Sequence, residues 1–320
     1  MRSKSVWLVL VLLLAGGAGA FYFMKRAPSS FPPGSRPDED AFQLAMNRGT
    51  DAFHRRNHDE AVKHFTDALP LAPDVKAIAD AFNMRGVSHQ MADELDAAMS
   101  DYTECIAHNG NHPDAFNNRA LVYWSKGDWD MMIRDANRQI EINSNHKNAF
   151  NTRGMAYLEK KEYIRACEDF ERAARIDPKN VNPPNNHGLA LIHMRRYDDA
   201  VLFLNTALQL APDNINSWAY RAWAYVLLGR YEEALHDAQE LISRDPKRWE
   251  GYHRRGRVHL AKKEYDKALV DMNKAIDLAP NVAIAWRDRG RLYEAMNRKE
   301  DAASDLRKAK EIYADVDELP

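Results

Sequence analysis

The stretch that decides the fold is INSWAYRAWAYVLLGRYEEALHDAQELISRDPKR, residues 215–248. Its apolar residues recur at the spacing of one helix face, first at Trp218, Ala222 and Tyr225, and after Gly229 at Ala234, Ala238 and Leu241. Asp245 and Pro246 then end the second helix, because proline cannot continue it. The stretch therefore predicts two short amphipathic helices joined by a turn, and neither helix can bury its apolar face alone.

The same pattern returns with a period of 34 residues. A small residue lies in the middle of every first helix, at Gly49, Gly86, Ala120, Gly154, Gly188, Ala222, Gly256 and Gly290. The second helices carry a matching position at Ala61, Ala98, Met132, Ala166, Ala200, Ala234, Ala268 and Ala302. Only the first step differs, at 37 residues, which places three extra residues in a loop near residues 70–79. Such a period predicts stacked helical hairpins that cover one another.

This pattern resembles the tetratricopeptide repeat family, with its W-x2-L-G-x2-Y, A-x3-F and P positions, as in Trp286, Gly290, Tyr293 and Ala302. The resemblance implies an all-α, right-handed superhelical solenoid of about eight helix-turn-helix repeats, whose first helices line a concave groove. We expect the array at residues 41–316 and a short tail at residues 317–320. The repeats fall at about 42–75, 79–112, 113–146, 147–180, 181–214, 215–248, 249–282 and 283–316.

One hydrophobic helix is expected before the array. Residues 6–24 carry no charge, and a helix of 19 residues spans about 28 Å, close to the roughly 30 Å of a bilayer core. We interpret residues 1–26 as a transmembrane anchor and residues 27–40 as a Pro/Ser-rich linker. The alternative is a cleaved signal peptide with its site at residues 18–20, Ala-Gly-Ala. The basic pair Lys25-Arg26 after the apolar run favours the anchor.

Charge and composition bear on location and partners. The chain has formal net charge -2, but residues 38–320 hold 40 basic and 47 acidic residues, which argues against a nucleic-acid surface. The amino-terminal flank of the span is slightly the more positive, which predicts a cytoplasmic N-terminus and a translocated array. The absence of any Asn-x-Ser/Thr acceptor favours a bacterial periplasm. Signal cleavage would instead give a secreted or periplasmic protein.

Arginine and aspartate recur at fixed positions of the repeat. Arginine replaces the family's leucine before the small residue, and an aspartate follows sixteen residues later on the second helix. The pairs are Arg85 and Asp101, Arg119 and Asp135, Arg153 and Asp169, Arg221 and Asp237, Arg255 and Asp271, and Arg289 and Asp305. The fifth repeat loses both partners and has His187 and Phe203 instead. The joint loss predicts a structural ion pair within each repeat.

Two lines of residues on the first helices are candidates for peptide binding. The amides Asn83, Asn117, Asn151 and Asn185 recur every 34 residues and could hydrogen-bond an extended backbone. Beside them runs an apolar line of Leu121, Trp124, Met155, Leu158, Leu189, Ile192, Trp223, Val226 and Leu260. An exposed line would mark an interaction site, whereas sideways packing between helices would make it core. Trp124 and Trp223 are the candidate anchors, and Trp223 is expected on the face that the scaffold does not use.

The last two repeats bring basic residues to the same line, at His253, Arg254, Arg257, Arg287 and Arg291. They do not match the spaced Lys/Asn/Asn/Lys/Arg set of the family's carboxylate clamp, and acidic residues lie among them, so we interpret a mixed charged face. Cys105, His108 and His112 have ligand-like spacing but no fourth ligand nearby in the sequence, and we predict no metal.

These patterns favour a non-catalytic protein-protein interaction scaffold or adaptor that binds a partner protein or peptide at a membrane. No cofactor, nucleic acid or small-molecule substrate is expected, because no phosphate loop or nucleophile motif occurs. The alternative is a structural subunit of an envelope or secretion complex that docks one folded partner.

The predicted topology is tested by fusing alkaline phosphatase to the C-terminus of the chain and expressing the fusion in bacteria. A translocated array carries the enzyme into the periplasm, where its disulfides form, so we expect an active fusion. An inactive fusion, with a β-galactosidase fusion at the same place active, would refute this topology.

Overall fold

The computed structural model describes residues 37–112, 114–146, 148–314 and 316, and within them it contains sixteen α-helices and no strand. The first eight are α1 Pro37–His54, α2 His58–Ala68, α3 Val75–Met91, α4 Leu95–His108, α5 Ala115–Lys126, α6 Trp129–Ile142, α7 Ala149–Glu159 and α8 Tyr163–Ile176. The others are α9 Asn182–His193, α10 Tyr197–Leu210, α11 Ile215–Leu227, α12 Tyr231–Arg244, α13 Trp249–Ala261, α14 Tyr265–Leu278, α15 Ala283–Ala295 and α16 Lys299–Ile312.

The described residues form two compact units. The N-terminal unit ends at Glu162 and holds α1–α7, and the C-terminal unit begins at Tyr163 and holds α8–α16. Within each unit, helices adjacent in sequence pack together, and first helices also contact the first helices of neighbouring repeats, as α9 does with α11 and α11 with α13. The prediction of an all-α array of stacked helix pairs is therefore confirmed for the described residues.

The predicted span at residues 6–24 lies outside the described residues, and in the part that the structure describes no helix is both long and apolar enough to cross a bilayer. Helix α1 begins at Pro37, four residues before the start predicted for the array. Proline suits a first helical turn, and Glu39 and Asp40 add negative charge where the helix dipole favours it.

The turns between helices follow simple rules. Each first helix from α1 to α15 is followed by one residue in the left-handed region, which is glycine only at Gly127 and Gly229, with φ of 71° and 72°. The side chain of Asn214 caps α11 by accepting a hydrogen bond from the amide of Ser217 at 2.9 Å. The longer first repeat ends in an additional 3₁₀ turn, Leu69–Leu71.

The core lies between the two helices of each repeat. The small residue of the first helix meets a large residue of the second, so that a Cβ added to Gly188 would lie only 2.6 Å from Leu204 Cγ. The repeated alanines Ala222, Ala234 and Ala238 have no exposed surface. Small residues at these positions let the helix axes approach closely, which explains their recurrence at the period of the fold.

An arginine bridges the helices of neighbouring repeats. Arg221 donates from Nε and Nη2 to the two carboxylate oxygens of Asp237 at 2.7 and 2.9 Å, and from Nη1 to Asn205 Oδ1 of the preceding repeat at 2.6 Å. Its guanidinium lies over the rings of Trp218 and Tyr225, with centroids 4.8 and 5.7 Å away. One side chain therefore joins two second helices and packs the aromatic residues of the motif.

The arrangement recurs through the array. Two-pronged arginine-aspartate contacts of 2.6–2.9 Å also join Arg85 to Asp101, Arg119 to Asp135, Arg255 to Asp271 and Arg289 to Asp305. The third contact, to the preceding second helix, is made by Arg119 to Thr103, Arg153 to Asn137, Arg255 to Gln239 and Arg289 to Asn273. These residues form a ladder of polar contacts around buried aspartates, which we call the arginine ladder.

The fifth repeat replaces this pair with an aromatic stack. The ring of His187 lies 3.8 Å from the ring of Phe203 and is only 4% exposed. Burial lowers the pKa of His187 to about 4, against opposing effects of Glu171 and Asp199 and with a smaller contribution from Arg196. The histidine is therefore neutral at pH 7 and fills an apolar position.

Breaking the arginine ladder on one side should be costly. Asp237→Ala leaves the guanidinium of Arg221 without its carboxylate, and we expect the free energy of unfolding to fall by about 3–5 kcal/mol, measured by urea denaturation. Glu240→Ala breaks the exposed pair of Glu240 with Arg244 and should change it by less than about 1 kcal/mol. Equal effects of the two substitutions would contradict a structural role for the ladder.

The buried histidine makes stability dependent on pH in a defined window. The unfolded chain protonates His187 near pH 6.5 and the folded chain only near pH 4, so stability falls as pH drops from about 6.5 to about 4. His187→Phe removes this contribution, of the order of 2 kcal/mol. We expect the variant to lose less stability than the parent chain between pH 7.5 and 5 in urea titrations. Parallel losses in the two proteins would contradict this assignment.

Candidate binding face of the first helices

The candidate residues of the N-terminal unit share one face of successive first helices. Asn117, Leu121 and Trp124 lie at helical spacing on α5, and Asn151, Met155 and Leu158 occupy the same positions on α7. Because both helices keep the 34-residue period, equivalent residues lie side by side on neighbouring helices. The structure thus brings these predicted residues together on one surface, with Asn83 next in line on α3.

The asparagines of this face connect the helices to one another. Asn118 Nδ2 on α5 donates to Asn83 Oδ1 on α3 at 3.1 Å, and Thr152 Oγ1 on α7 donates to Asn117 Oδ1 at 3.2 Å. Asn83 is only 8% exposed, whereas Asn117 and Asn151 remain half-buried. The amides therefore have a structural role between helices, and two of them keep part of their surface at the face.

The same position has the same role in the C-terminal unit. Asn185 is 1% exposed, accepts a hydrogen bond from Ser217 Oγ at 2.8 Å and donates to Asn186 Oδ1 at 3.0 Å. Two periods later, His253 Nε2 lies 3.0 Å from Asp288 Oδ2. This second line of polar contacts between first helices was not predicted from the sequence. Its signal there is a pair of polar residues 35 positions apart, as in Asn83 and Asn118 or His253 and Asp288.

In the N-terminal unit the apolar line is partly exposed on α5 only. On α5, Leu121 and Trp124 are half-buried, and the indole of Trp124 packs edge to face against Trp129 with centroids 5.1 Å apart. On α7, Met155 and Leu158 are buried at 7% and 9% exposure. The usable apolar surface of this unit is therefore centred on α5.

In the C-terminal unit most of the apolar line is core. Ile192 and Trp223 are buried in one hydrophobic cluster, and Leu189 and Val226 pack at its edge. Trp223 was expected on a face that the scaffold leaves unused. It is instead 7% exposed, because the ring of His193 meets it at 5.8 Å and the guanidinium of Arg254 lies 4.8 Å from its ring centroid. Neighbouring first helices thus cover this indole.

The cysteine and the histidines with ligand-like spacing have separate roles. Cys105 is fully buried, and burial raises its pKa to about 12. His108 stacks on Phe82 at 5.7 Å, and His112 Nδ1 accepts the amide hydrogen of Ala115 at 3.2 Å at the start of α5. No group of three or more potential metal ligands occurs in the described ranges of the chain.

The basic residues of the last two repeats surround a buried carboxylate. Asp288 is 3% exposed and accepts from Arg287 Nε at 2.9 Å. His253 connects Asp288 to Arg254: its Nε2 faces Asp288, and its Nδ1 lies 3.2 Å from Arg254 Nη1. Burial lowers the pKa of His253 to about 4, so the neutral ring accepts from Arg254 and donates to Asp288. The charged face predicted from the sequence is therefore largely a buried network, at whose edge Arg291 is exposed.

Comparison with known protein families agrees with this geometry. Four models described as tetratricopeptide repeat match the chain, at residues 148–180, 185–214, 203–236 and, for the fourth, both 221–283 and 253–317. Together the matched segments cover about half of the 320 residues. The chain belongs to the tetratricopeptide repeat family. No curated protein sequence matches it significantly.

Solved structures show the same fold for this tetratricopeptide repeat protein. A tetratricopeptide repeat protein from Parabacteroides merdae ATCC 43184 aligns with a TM-score of 0.64 at 20% identity, over 84% of this chain and 99% of that one. Pseudomonas aeruginosa pilF aligns with a TM-score of 0.58 at 18% identity, over 68% and 97% of the two chains. Tetratricopeptide repeat proteins generally mediate protein-protein interactions and are typically non-catalytic. At these identities the two structures establish the fold alone.

Proposed function

We propose that this protein is a non-catalytic interaction scaffold that binds an extended segment of a partner protein on the first helices of its N-terminal unit. The observation that carries the proposal is the half-buried surface shared by Asn117, Leu121 and Trp124 on α5 and Asn151 on α7. It combines apolar side chains with amides, the composition that suits a peptide with alternating side chains and backbone groups.

The spacing of this surface fits an extended chain. Neighbouring first helices pack about 8–10 Å apart, and three residues of extended polypeptide span about the same length. Asn117 Oδ1 accepts from Thr152, which fixes the amide so that its Nδ2 points away from that bond and can donate to a peptide carbonyl. The hydrogen bond from Thr152 thus orients the amide of Asn117 that would bind the partner.

The attachment to a membrane is a further part of the proposal. Residues 6–24 supply an uncharged stretch of bilayer length. Arg2 and Lys4 before it are matched by Lys25 and Arg26 after it, and the free amine makes the N-terminal flank slightly more positive, which favours a cytoplasmic N-terminus. The array would then lie on the far side of a bacterial inner membrane. The linker at residues 27–36, with three prolines, would hold it away from the lipid surface.

The proposal is tested by site-specific photo-crosslinking in cells. A photoreactive amino acid at Leu121 or Trp124 should capture a partner, because both side chains reach the proposed binding surface. The same amino acid at Arg138, exposed on the second helix α6, is the matched control and should not capture it. Equal capture from α5 and from α6 would favour the alternative, a subunit that docks a folded partner over a broad surface.

Mass spectrometry of the cross-link identifies the captured segment, and a synthetic peptide of that segment measures the role of the amides. Asn117→Ala with Asn151→Ala removes two hydrogen bonds of about 1 kcal/mol each, which predicts roughly 30-fold weaker binding. Thr152→Val breaks the contact between Thr152 and Asn117 but keeps both amides, and it should bind within a few-fold of the parent chain. Unchanged peptide affinity in the double variant, measured by fluorescence anisotropy, would show that the two amides do not bind the peptide.

A further inference from the structure

The C-terminal unit carries a concentration of positive charge on two neighbouring first helices. Arg254 and Arg257 lie on α13, and Arg287 and Arg291 lie on α15; we call these four residues the arginine cluster. All of them occupy first-helix positions equivalent to the binding face of the N-terminal unit or adjacent to it, since each repeat keeps the 34-residue period. The cluster stands out because residues 38–320 as a whole are acidic.

Two buried carboxylates, Asp288 and Glu250, lie near the cluster. Asp288 lies among the four arginines, 2.9 Å from Arg287 Nε, 3.6 Å from Arg257 Nε and 3.9 Å from Arg291 Nη1. Glu250 accepts from Nε and Nη2 of another arginine, Arg248. Asp288 thus contacts three of the four guanidinium groups directly, whereas Glu250 and Asp288 act on Arg254 only through their electrostatic field. Glu294, one turn after Arg291, is exposed to solvent.

Three buried donors in this region have no hydrogen-bond partner. They are Nε of Arg254, Nη1 of Arg257 and the indole Nε1 of Trp223, and the guanidinium of Arg254 lies 4.8 Å from the centre of the Trp223 ring. Arg254 and Trp223 are only 6% and 7% exposed. A buried donor without an acceptor costs about 1–3 kcal/mol, and more when it is charged, so three such donors together require an explanation.

The electrostatics agree with a missing negative charge. Burial, followed by repulsion from Arg257, lowers the pKa of Arg254 to about 9. Burial also lowers the pKa of Arg257, with Arg287 and Arg291 adding to the effect against Asp288. Although burial alone would raise the pKa of Asp288, the hydrogen bond from His253 and the nearby guanidinium groups hold it well below its usual range. An added anion would offset the burial and mutual repulsion of these guanidinium charges.

The cluster is reachable from solvent at one side. The side chain of Arg291 is 50% exposed and that of Arg257 is 19% exposed, whereas Arg254 lies behind them. An arriving anion would therefore meet Arg291 and Arg257 first. Reorientation of the long arginine side chains would then bring the inner donors to it.

We infer that the arginine cluster, with the indole N–H of Trp223, is a binding site for side-chain carboxylates of an acidic segment in a partner protein. Guanidinium groups match carboxylates in a two-pronged geometry, and a carboxylate can accept from several donors at once. The inference rests on the proposed function, because it takes the protein to be a scaffold that binds partner proteins, and it adds a second binding surface in the C-terminal unit. Nucleic acid fits less well, since the acidic remainder of the chain would repel a polyanion over any longer contact.

The test uses the full chain in a neutral detergent and two fluorescein-labelled dodecapeptides, one alternating Glu and Ser and one alternating Gln and Ser. Both peptides are acetylated and amidated, so that only side chains supply charge. We expect the Glu peptide to bind at least tenfold more tightly in fluorescence anisotropy, with the preference reduced at 0.5 M salt because ions screen the contacts.

The decisive variant is Arg254→Met with Arg257→Met. If the two arginines are there for a ligand, their removal should abolish the preference for the Glu peptide while the melting temperature stays equal or rises, because buried charges without partners are lost. Arg244→Met, on the second helix α12, is the matched control and should keep the preference. A lower melting temperature together with an unchanged preference would assign the cluster to structure and overturn the inference.

Two further outcomes would also overturn it. Equal binding of the two peptides would show that the site does not recognise carboxylates. A cross-link at Leu121 would still support the proposed function in that case. The carbonyl of Val316 accepts from Arg287 Nη1 at 2.9 Å, and Asp317 and Glu318 follow it in the sequence. Glu-peptide binding that appears only in an Asp317→Asn, Glu318→Gln variant would assign the arginines to the chain's own acidic residues.

Discussion

An aspartate buried between helices has to meet a positive charge, because an isolated carboxylate in the interior would cost several kcal/mol. In this array Asp237 and its equivalents meet that need with an arginine sixteen residues earlier, and the same arginine reaches back to the preceding second helix. The pair therefore joins helices within a repeat and the third contact joins repeats. In the repeats that carry the pair, the stacking and orientation of the first helix follow from this contact together with the small residues that allow close approach.

Orientation of the first helices then decides which of their side chains can meet a partner. Asn83 and Asn118, or Asn117 and Thr152, hydrogen-bond across neighbouring helices, so the polar line on this face is itself part of the packing. Structure and recognition are combined in the same side chains here. A half-buried amide that is already held by a neighbour presents its remaining donor at low entropic cost, which favours binding over a mobile amide on an open surface.

The C-terminal unit uses the equivalent positions differently. Where the N-terminal unit has amides and apolar side chains, α13 and α15 carry arginines around Asp288. Buried donors without partners reduce the stability of a domain, and proteins retain such features mainly at functional sites. The two units therefore present different chemistry on their first helices.

The helices, the period and the arginine-aspartate positions could be predicted from the sequence, because all three recur in nearly every repeat. Pairing of Arg221 with Asp237, for example, could be inferred from their joint replacement by His187 and Phe203 in one repeat. The burial of Trp223 and Ile192, and the contacts of Asn185 with Ser217 and of His253 with Asp288, were decided only by the tertiary structure. These features depend on how closely one first helix approaches the next, and that distance is set by side chains from several repeats at once, which no single repeat contains.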